Sequence, residues 1–343
     1  MSPPTILGYA ARAVGQPLEP LTYAPPPLGE HDVRVSVTHC GLCFTDIAAI
    51  DDYYGITSYP LVPGHEIVGT VSAVGTNAPG VKLGDRVGIG WQGRSCMKCE
   101  WCLRGEEQLC RDIVSDATWV PYGGFSTSVV ADSRFVYPLP GGMASKVASV
   151  LLCAGVTVYS PLRKYAVQPG LKIGIVGVGG LGHLAIQFAH ALGYEVTAIS
   201  SSPAKREEAL ALGADHFVDS ADRAGLRKLE YGFDLLLCTA HGEMRWEPLL
   251  EILKKRGTLV LAGFPRVDLN PTDLVAHELS IAGSFLGNRA TMRGMLSFAE
   301  AHGIAPRIEL MPMSRVNEAI DRVKKNQARY RIVLVNDVVG AAH

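Results

Sequence analysis

Apolar residues recur in two rhythms along the second half of the chain. A short apolar run at 171–176 ends in Gly177-Val178-Gly179-Gly180-Leu181-Gly182. After it Leu184, Ile186, Phe188, Ala189 and Leu192 recur at helical spacing until Gly193. A strand is predicted at 195–200, a helix at 204–212, and further strands around 217–218, 233–238, 257–263 and 279–283. Short apolar runs separated by helical segments predict a parallel sheet covered on both faces.

This strand, glycine turn, helix and second strand give the Gly-x-Gly-x-x-Gly pattern the context it needs. Gly177, Gly179, Gly180 and Gly182, with Leu181 among them, permit a tight turn that brings backbone N–H groups to a pyrophosphate at the helix N-terminus. At the end of the second strand an acidic side chain would bind the ribose 2′-hydroxyl of NAD. The residues there are Ser200-Ser201-Ser202-Pro203-Ala204-Lys205-Arg206, with no acid before Glu207. Three hydroxyls and two cations suit a 2′-phosphate, which favours NADP(H). One of the serines can also cap the next helix.

Composition narrows the class. The 343 residues predict two domains, and 48% apolar against 19% charged residues is enough material for two cores. With 32 Lys+Arg against 33 Asp+Glu, the net charge of -1 gives no footprint for nucleic acid or an anionic membrane. No uninterrupted apolar run reaches the roughly 18 residues that span a bilayer. Residues 1–8 carry two prolines and no basic cluster, so no signal peptide is expected there. A cytoplasmic, reducing location follows as an expectation, and the eight cysteines are then read as metal or redox groups rather than disulfides.

Four of them, Cys96, Cys99, Cys102 and Cys110, have the spacing of a closed four-sulfur zinc site. Such a site has no open position, so its role is structural, and Arg94, Lys98, Arg104 and Arg111 are expected to offset its charge. Cys43 and Cys153 remain, and Pro63-Gly64-His65-Glu66 supplies a histidine and an acid for a second, catalytic zinc with one open position. From spacing alone His65 reads equally as a hydrogen-bonded core residue and Cys153 as a small buried apolar one.

Taken together, Cys40-Gly-Leu-Cys43-Phe-Thr45-Asp46, Gly64-His65-Glu66, the four-cysteine segment, Leu151-Leu-Cys153-Ala-Gly-Val-Thr157, the glycine turn, the 200–205 stretch, Gly283-Ser284-Phe285-Leu286-Gly287 and Ala328-Arg-Tyr-Arg-Ile-Val resemble the zinc-dependent medium-chain alcohol dehydrogenases. The likeness is greatest to the cinnamyl-alcohol-dehydrogenase-like group, particularly bacterial NADPH-dependent broad-range aldehyde reductases, and covers essentially the whole chain. It implies an α/β protein: a GroES-like, β-rich catalytic domain at 1–147 and 287–343, with a zinc lobe at 94–111, and a Rossmann domain with a doubly wound parallel sheet at 148–286. It implies two zincs per chain, the catalytic one held by Cys43, His65 and Cys153 with Glu66 beside it and Cys40 not a ligand. Asp46 would fix the His65 ring, Thr45 would pass a proton, and Thr157, Gly283, Ser284 and Phe285 would meet the cofactor. Trp91, Trp119 and Leu286 would line a pocket for aromatic or medium-chain aldehydes and their alcohols. A homodimer is also implied. Two positions depart from the pattern. Phe44 replaces a basic residue facing the pyrophosphate, and Ala48 replaces a relay histidine, so the proton path would end elsewhere, in solvent or through Asp51 or Asp52.

Overall fold

The computed structural model describes residues 5–113 and 117–337. Residues 1–4, half of the stretch read for a signal peptide, lie outside the described residues. Among the described residues the strands are β1 (Ile6–Ala10), β2 (Glu19–Tyr23), β3 (Asp32–Leu42), β4 (Glu66–Val74), β5 (Arg86–Ile89), β6 (Ser128–Asp132), β7 (Val136–Pro138), β8 (Lys172–Val176), β9 (Glu195–Ser200), β10 (His216–Asp219), β11 (Phe233–Cys238), β12 (Leu253–Leu261), β13 (Ser280–Gly283), β14 (Ile308–Pro312) and β15 (Arg331–Val335). They divide between two compact units. One holds the chain up to Cys153, Asn288–Glu300 and the chain from Pro306, and the other holds Ala154–Gly287 with Ala301–Ala305.

The first unit is β-rich. Its main sheet runs β14-β15-β3-β4-β5-β7, with β6 also paired to β3, while β1 and β2 form a separate pair. Along β3 the residues Val33, Val35 and Val37 face the core, while Ser36 and Thr38 face solvent, the period-2 pattern of a half-buried strand. Register shifts between Arg34 and Val35 and between Val37 and His39 bend β3 against β4. The pairing places Gly41 of β3 between Glu66 on β4 and Val333 on β15. Val35, Ile67, Ile89, Phe125 and Ile332 are fully buried in one cluster, each worth about 1.5–3 kcal/mol of burial.

The second unit is the parallel sheet expected from the apolar rhythm, in the order β10-β9-β8-β11-β12-β13. β8 and β11 read Lys-Ile-Gly-Ile-Val and Phe-Asp-Leu-Leu-Leu-Cys and are buried almost throughout, because both faces are covered. The winding reverses between β8 and β11, and sheets of this order bind ligands at the carboxyl ends of the strands there. The predicted strands at 195–200 and 233–238 coincide with β9 and β11. The predicted helix at 204–212 opens instead as a tight 3-10 turn, Pro203–Lys205, before α-helical geometry begins at Arg206. Pro203 at its start fixes the entry but leaves no N–H to bond.

The helix Ser145–Tyr165 is long and apolar enough to cross a bilayer by length and composition, a property that no uninterrupted run revealed. Within the fold 72% of its apolar window is buried, as in a core helix. It contains one π-helical turn, Leu151–Gly155.

Candidate functional site

The first cluster of functional groups is built where β3 ends. Cys43 is the N-cap of helix α1 (Phe44–Ile50), in extended conformation, so its side chain leaves the strand before the helix begins. Asp46, in the first helical turn and fully buried, accepts from the Cys43 backbone N–H at 2.9 Å and from the Gly64 N–H at 3.0 Å. Its Oδ1 also lies 2.7 Å from His65 Nδ1. A carboxylate oxygen accepts here, so Nδ1 carries a proton and Nε2 is the ring nitrogen left for a ligand. That Nε2 is buried and has no hydrogen-bond partner.

Cys153 comes from the π-helical turn, a widening of the helix that recurs at functional sites. Ligand atoms of Cys43, His65, Glu66 and Cys153 all lie within 4.8 Å of one another. Hydrogen bonding with Cys153 holds the Cys43 thiol well below its ordinary pKa against the opposing effect of burial, and the same bond with burial pushes Cys153 well up. Burial works to lower the His65 pKa, but the Asp46 charge and hydrogen bond outweigh it and raise the ring well above its usual value. An orphaned imidazole nitrogen, two sulfurs and a carboxylate at this range form a donor set that fits a zinc-sized cation.

Arg331 lies within the Ala328-Arg-Tyr-Arg-Ile-Val segment, where the sequence assigns it no role. It is the first residue of β15, 6% exposed, and its Nη2 donates to Glu66 Oε1. Burial pushes the Glu66 carboxyl up to about 7, with the Arg331 guanidinium opposing that rise. Glu66 Oε2 has no partner. A Cβ on Gly41 would stand 1.9 Å from Oε2, so only glycine leaves room for this carboxylate. An arginine heading an apolar strand carries no local sign of a partner 265 residues away.

Thr45 Oγ1 lies 3.6 Å from Cys43 Sγ. The two acids considered as a proton outlet sit at the other end of α1, and both are engaged. Asp51 pairs with Lys324 at 3.2 Å, and Asp52 accepts from the Thr57 N–H at 2.9 Å. Six residues of helix separate Thr45 from Asp51, about 9 Å of rise, a span that any path from Thr45 to either acid would have to cross.

The four-cysteine lobe brings all four sulfurs within 4.8 Å of one another, and every cysteine is a free thiol. The Cys99–Cys102 and Cys96–Cys102 sulfur separations are 3.5 and 3.9 Å. A tetrahedron of Zn–S bonds near 2.3 Å has an edge of about 3.8 Å. Backbone N–H groups of Cys102 and Arg111 draw the Cys99 thiol down to about 6, while burial pushes Cys102 up to about 12. Of the cations expected to balance the lobe, Arg94 pairs with Asp32 at 3.5 Å and Arg104 lies over the Trp101 ring at 5.3 Å. Backbone N–H groups and Ser95 Oγ, 2.6 Å from Cys102 Sγ, face the sulfurs instead.

In the second unit β8 delivers Gly177 with φ +92°. A Cβ on Gly182 would lie 1.8 Å from the Gly177 carbonyl oxygen, so helix α2 (Gly182–Ala191) can start this close to the strand only with glycine. Ser200 is buried and its Oγ accepts from the Ser202 N–H at 3.3 Å, while Ser201 is exposed. Lys205 Nζ donates to the Val178 carbonyl at 2.6 Å. Arg206 instead lies over the Phe217 ring at 4.9 Å, so the basic pair expected at this strand end is divided between two tasks. Thr157 is buried one turn beyond the π-helical segment. Gly283 accepts at its carbonyl from the Tyr165 hydroxyl at 3.2 Å, and the Ser284 N–H donates to the Leu261 carbonyl at 3.0 Å. Phe285 is 40% exposed and Leu286 adopts φ +48°. In the first unit Trp91 and Trp119 meet edge to face with centroids 6.5 Å apart, and Trp119 is 2% exposed in the core cluster with its Nε1 unpartnered.

A β-rich unit carrying two thiol-rich clusters, joined in one chain to a parallel sheet with a glycine turn, defines a metal-using dehydrogenase. The alcohol dehydrogenase GroES-like domain model matches residues 29–141, and the zinc-binding dehydrogenase model matches 180–301. The chain is 44% identical over 316 residues to the probable formaldehyde dehydrogenase AdhA of Bacillus subtilis, covering 90% of each chain. A cinnamyl alcohol dehydrogenase from Sorghum bicolor superposes with a TM-score of 0.93 at 41% identity, over 99% of both chains. The cinnamyl alcohol dehydrogenase from Helicobacter pylori, solved with NADP(H), superposes at 0.88 with 29% identity, over 96% of this chain and 98% of that one. The chain belongs to the zinc-binding alcohol dehydrogenases, in their cinnamyl-alcohol-dehydrogenase-like group.

Proposed function

We propose that the chain is an NADP(H)-dependent alcohol dehydrogenase with two zincs, acting chiefly as an aldehyde reductase on aromatic or medium-chain aldehydes. The observation that carries this reading is the buried, partnerless His65 Nε2 set among Cys43, Cys153 and Glu66. When bound, zinc supplies a Lewis acid for the carbonyl oxygen and the reduced nicotinamide supplies the hydride.

The chain's own residues do the rest. Asp46 keeps the proton on His65 Nδ1, which fixes the tautomer that ligates. Cys43 and Cys153 contribute two negative charges, and Arg331 offsets part of the negative charge that these sulfurs and Glu66 concentrate in a buried space. The Thr45 hydroxyl would relay a proton to the product oxygen, giving up its own and taking another from solvent. Cys96, Cys99, Cys102 and Cys110 hold the structural zinc. Ser200, Ser201, Ser202 and Lys205 bind the 2′-phosphate. Relatives named for a formaldehyde dehydrogenase and a cinnamyl alcohol dehydrogenase support an alcohol–aldehyde pair, and the NADP(H) complex supports the cofactor. A cytoplasmic homodimer completes the reading.

The test is an initial-rate panel with NADPH and NADH across aliphatic and aromatic aldehydes, run beside metal analysis of the same preparation. About two zincs per chain and faster turnover with NADPH are expected. Preference for NADH would overturn the cofactor part, and absence of turnover with both aromatic and medium-chain aldehydes would overturn the substrate part.

A further inference from the structure

A pyrophosphate site made of backbone must show N–H groups to the ligand and turn its carbonyl oxygens elsewhere, because an exposed carbonyl repels the anion. In this chain three successive carbonyls of the glycine turn each accept from a side chain. Thr239, at the carboxyl end of β11 and 7% exposed, places its Oγ1 2.9 Å from the Gly177 oxygen and 3.1 Å from that of Val176. Lys205 Nζ takes the Val178 oxygen at 2.6 Å. His183, fully buried in the first turn of α2, has Nδ1 2.8 Å from the Gly179 oxygen, which its own backbone N–H also reaches at 3.1 Å. The donors come from three separate elements and converge on consecutive residues.

We propose that Thr239, Lys205 and His183 are positioning residues that hold these carbonyls back and so preset the turn for any pyrophosphate-bearing ligand. This rests on the NADP(H) reading above and deepens it. Lys205 then has two tasks: it meets the 2′-phosphate, and it fixes the turn. A lysine that served the 2′-phosphate alone would be irrelevant to NADH. A lysine that also holds the Val178 oxygen is needed by every nucleotide the turn accepts. Flexible turns pay an ordering cost at binding, and fixing the carbonyls beforehand removes it.

The test measures dissociation constants of the full chain for NADPH, NADH and ADP-ribose, the last carrying a pyrophosphate but no 2′-phosphate and no nicotinamide. Lys205→Gln is expected to weaken NADH and ADP-ribose about tenfold, the scale of one charge-assisted hydrogen bond, and NADPH by more. Thr239→Val removes a hydroxyl and no charge, and is expected to weaken all three by about threefold to tenfold without changing the NADPH to NADH ratio. Faster amide exchange at 178–182 in the ligand-free variants, with β8 unchanged, would accompany this. If Lys205→Gln weakens NADPH alone and Thr239→Val moves nothing, the positioning role is wrong while the NADP(H) reading stands. If the unaltered chain binds NADH as tightly as NADPH, that reading fails, and equal losses on NADH and ADP-ribose still support the positioning role. Losses that track a fall in the ligand-free melting point overturn it, since general damage then explains them.

Discussion

Removing Arg331 is the sharpest test of how the metal cluster is balanced. Arg331→Met leaves Glu66, fully buried, with no guanidinium beside it. Breaking one partner of a buried pair costs up to about 3–5 kcal/mol, and part of that cost appears as proton uptake, because the Glu66 carboxyl is already pushed up to about 7 with the guanidinium opposing the rise. Glu66→Gln strands the guanidinium in the same way. The double variant Glu66→Gln/Arg331→Met removes both charges, so its cost is expected to fall at least about 2 kcal/mol short of the sum of the single costs. The first unit spans roughly 200 residues, for which 1 kcal/mol moves the melting point by about 2–4 °C. Each single variant is therefore expected to melt lower by up to roughly 6–20 °C, a shift that scanning calorimetry of metal-loaded protein resolves. Arg331 also feels Cys43 and Cys153, so its loss should reduce retained zinc at the same time. A single-variant cost under about 1 kcal/mol, or a double variant equal to the sum, would refute the coupling.

Other outcomes follow from the same geometry. Asp46→Asn sets an amide N–H₂ against the Cys43 or His65 donor, and zinc affinity at that cluster is expected to fall about 10–100-fold in a competition titration against a chelator. Asp51→Asn and Asp52→Asn should leave the pH–rate profile in place, and the exposed Asp51–Lys324 pair should account for less than about 1 kcal/mol in urea unfolding; a displaced profile would restore them as the proton outlet. Cys96→Ser is expected to lower folding yield and halve the zinc count, whereas Cys153→Ala should keep the fold and lose turnover; the opposite assignment would appear in metal analysis and circular dichroism together.

The parallel-sheet half was largely legible because its signals are local. β9 and β11 are apolar runs bounded by turn residues, and the glycine turn lies between a strand and a helix that each announce themselves. The four-cysteine lobe was legible for the same reason: its ligands lie within fifteen residues. What escaped was set by long-range pairing. Arg331 meets Glu66 only because β15 and β4 both flank β3, and Gly41 matters only because it lies under that carboxylate. Thr239 directly follows an apolar strand and carries no local sign of a role, yet parallel pairing of β11 with β8 brings it to Gly177. Arg206 is adjacent to Lys205 in sequence, but the 3-10 turn before it sends the two side chains to different neighbours.

The interleaving of the two units also orders events during synthesis. Glu66 and Arg331 are 265 residues apart, and the whole parallel-sheet unit is encoded between them. At roughly 5–20 residues per second the ribosome needs about 13–50 s to make that interval. For that time the His39–Leu42 end of β3 lacks its β15 partner and the Glu66 carboxylate lacks its counter-charge. The later-encoded unit is complete first. The earlier-encoded one waits for its final strand, so nascent chains carry an unsealed thiol cluster, and this interval is when a wrong metal or an oxidant has its best access.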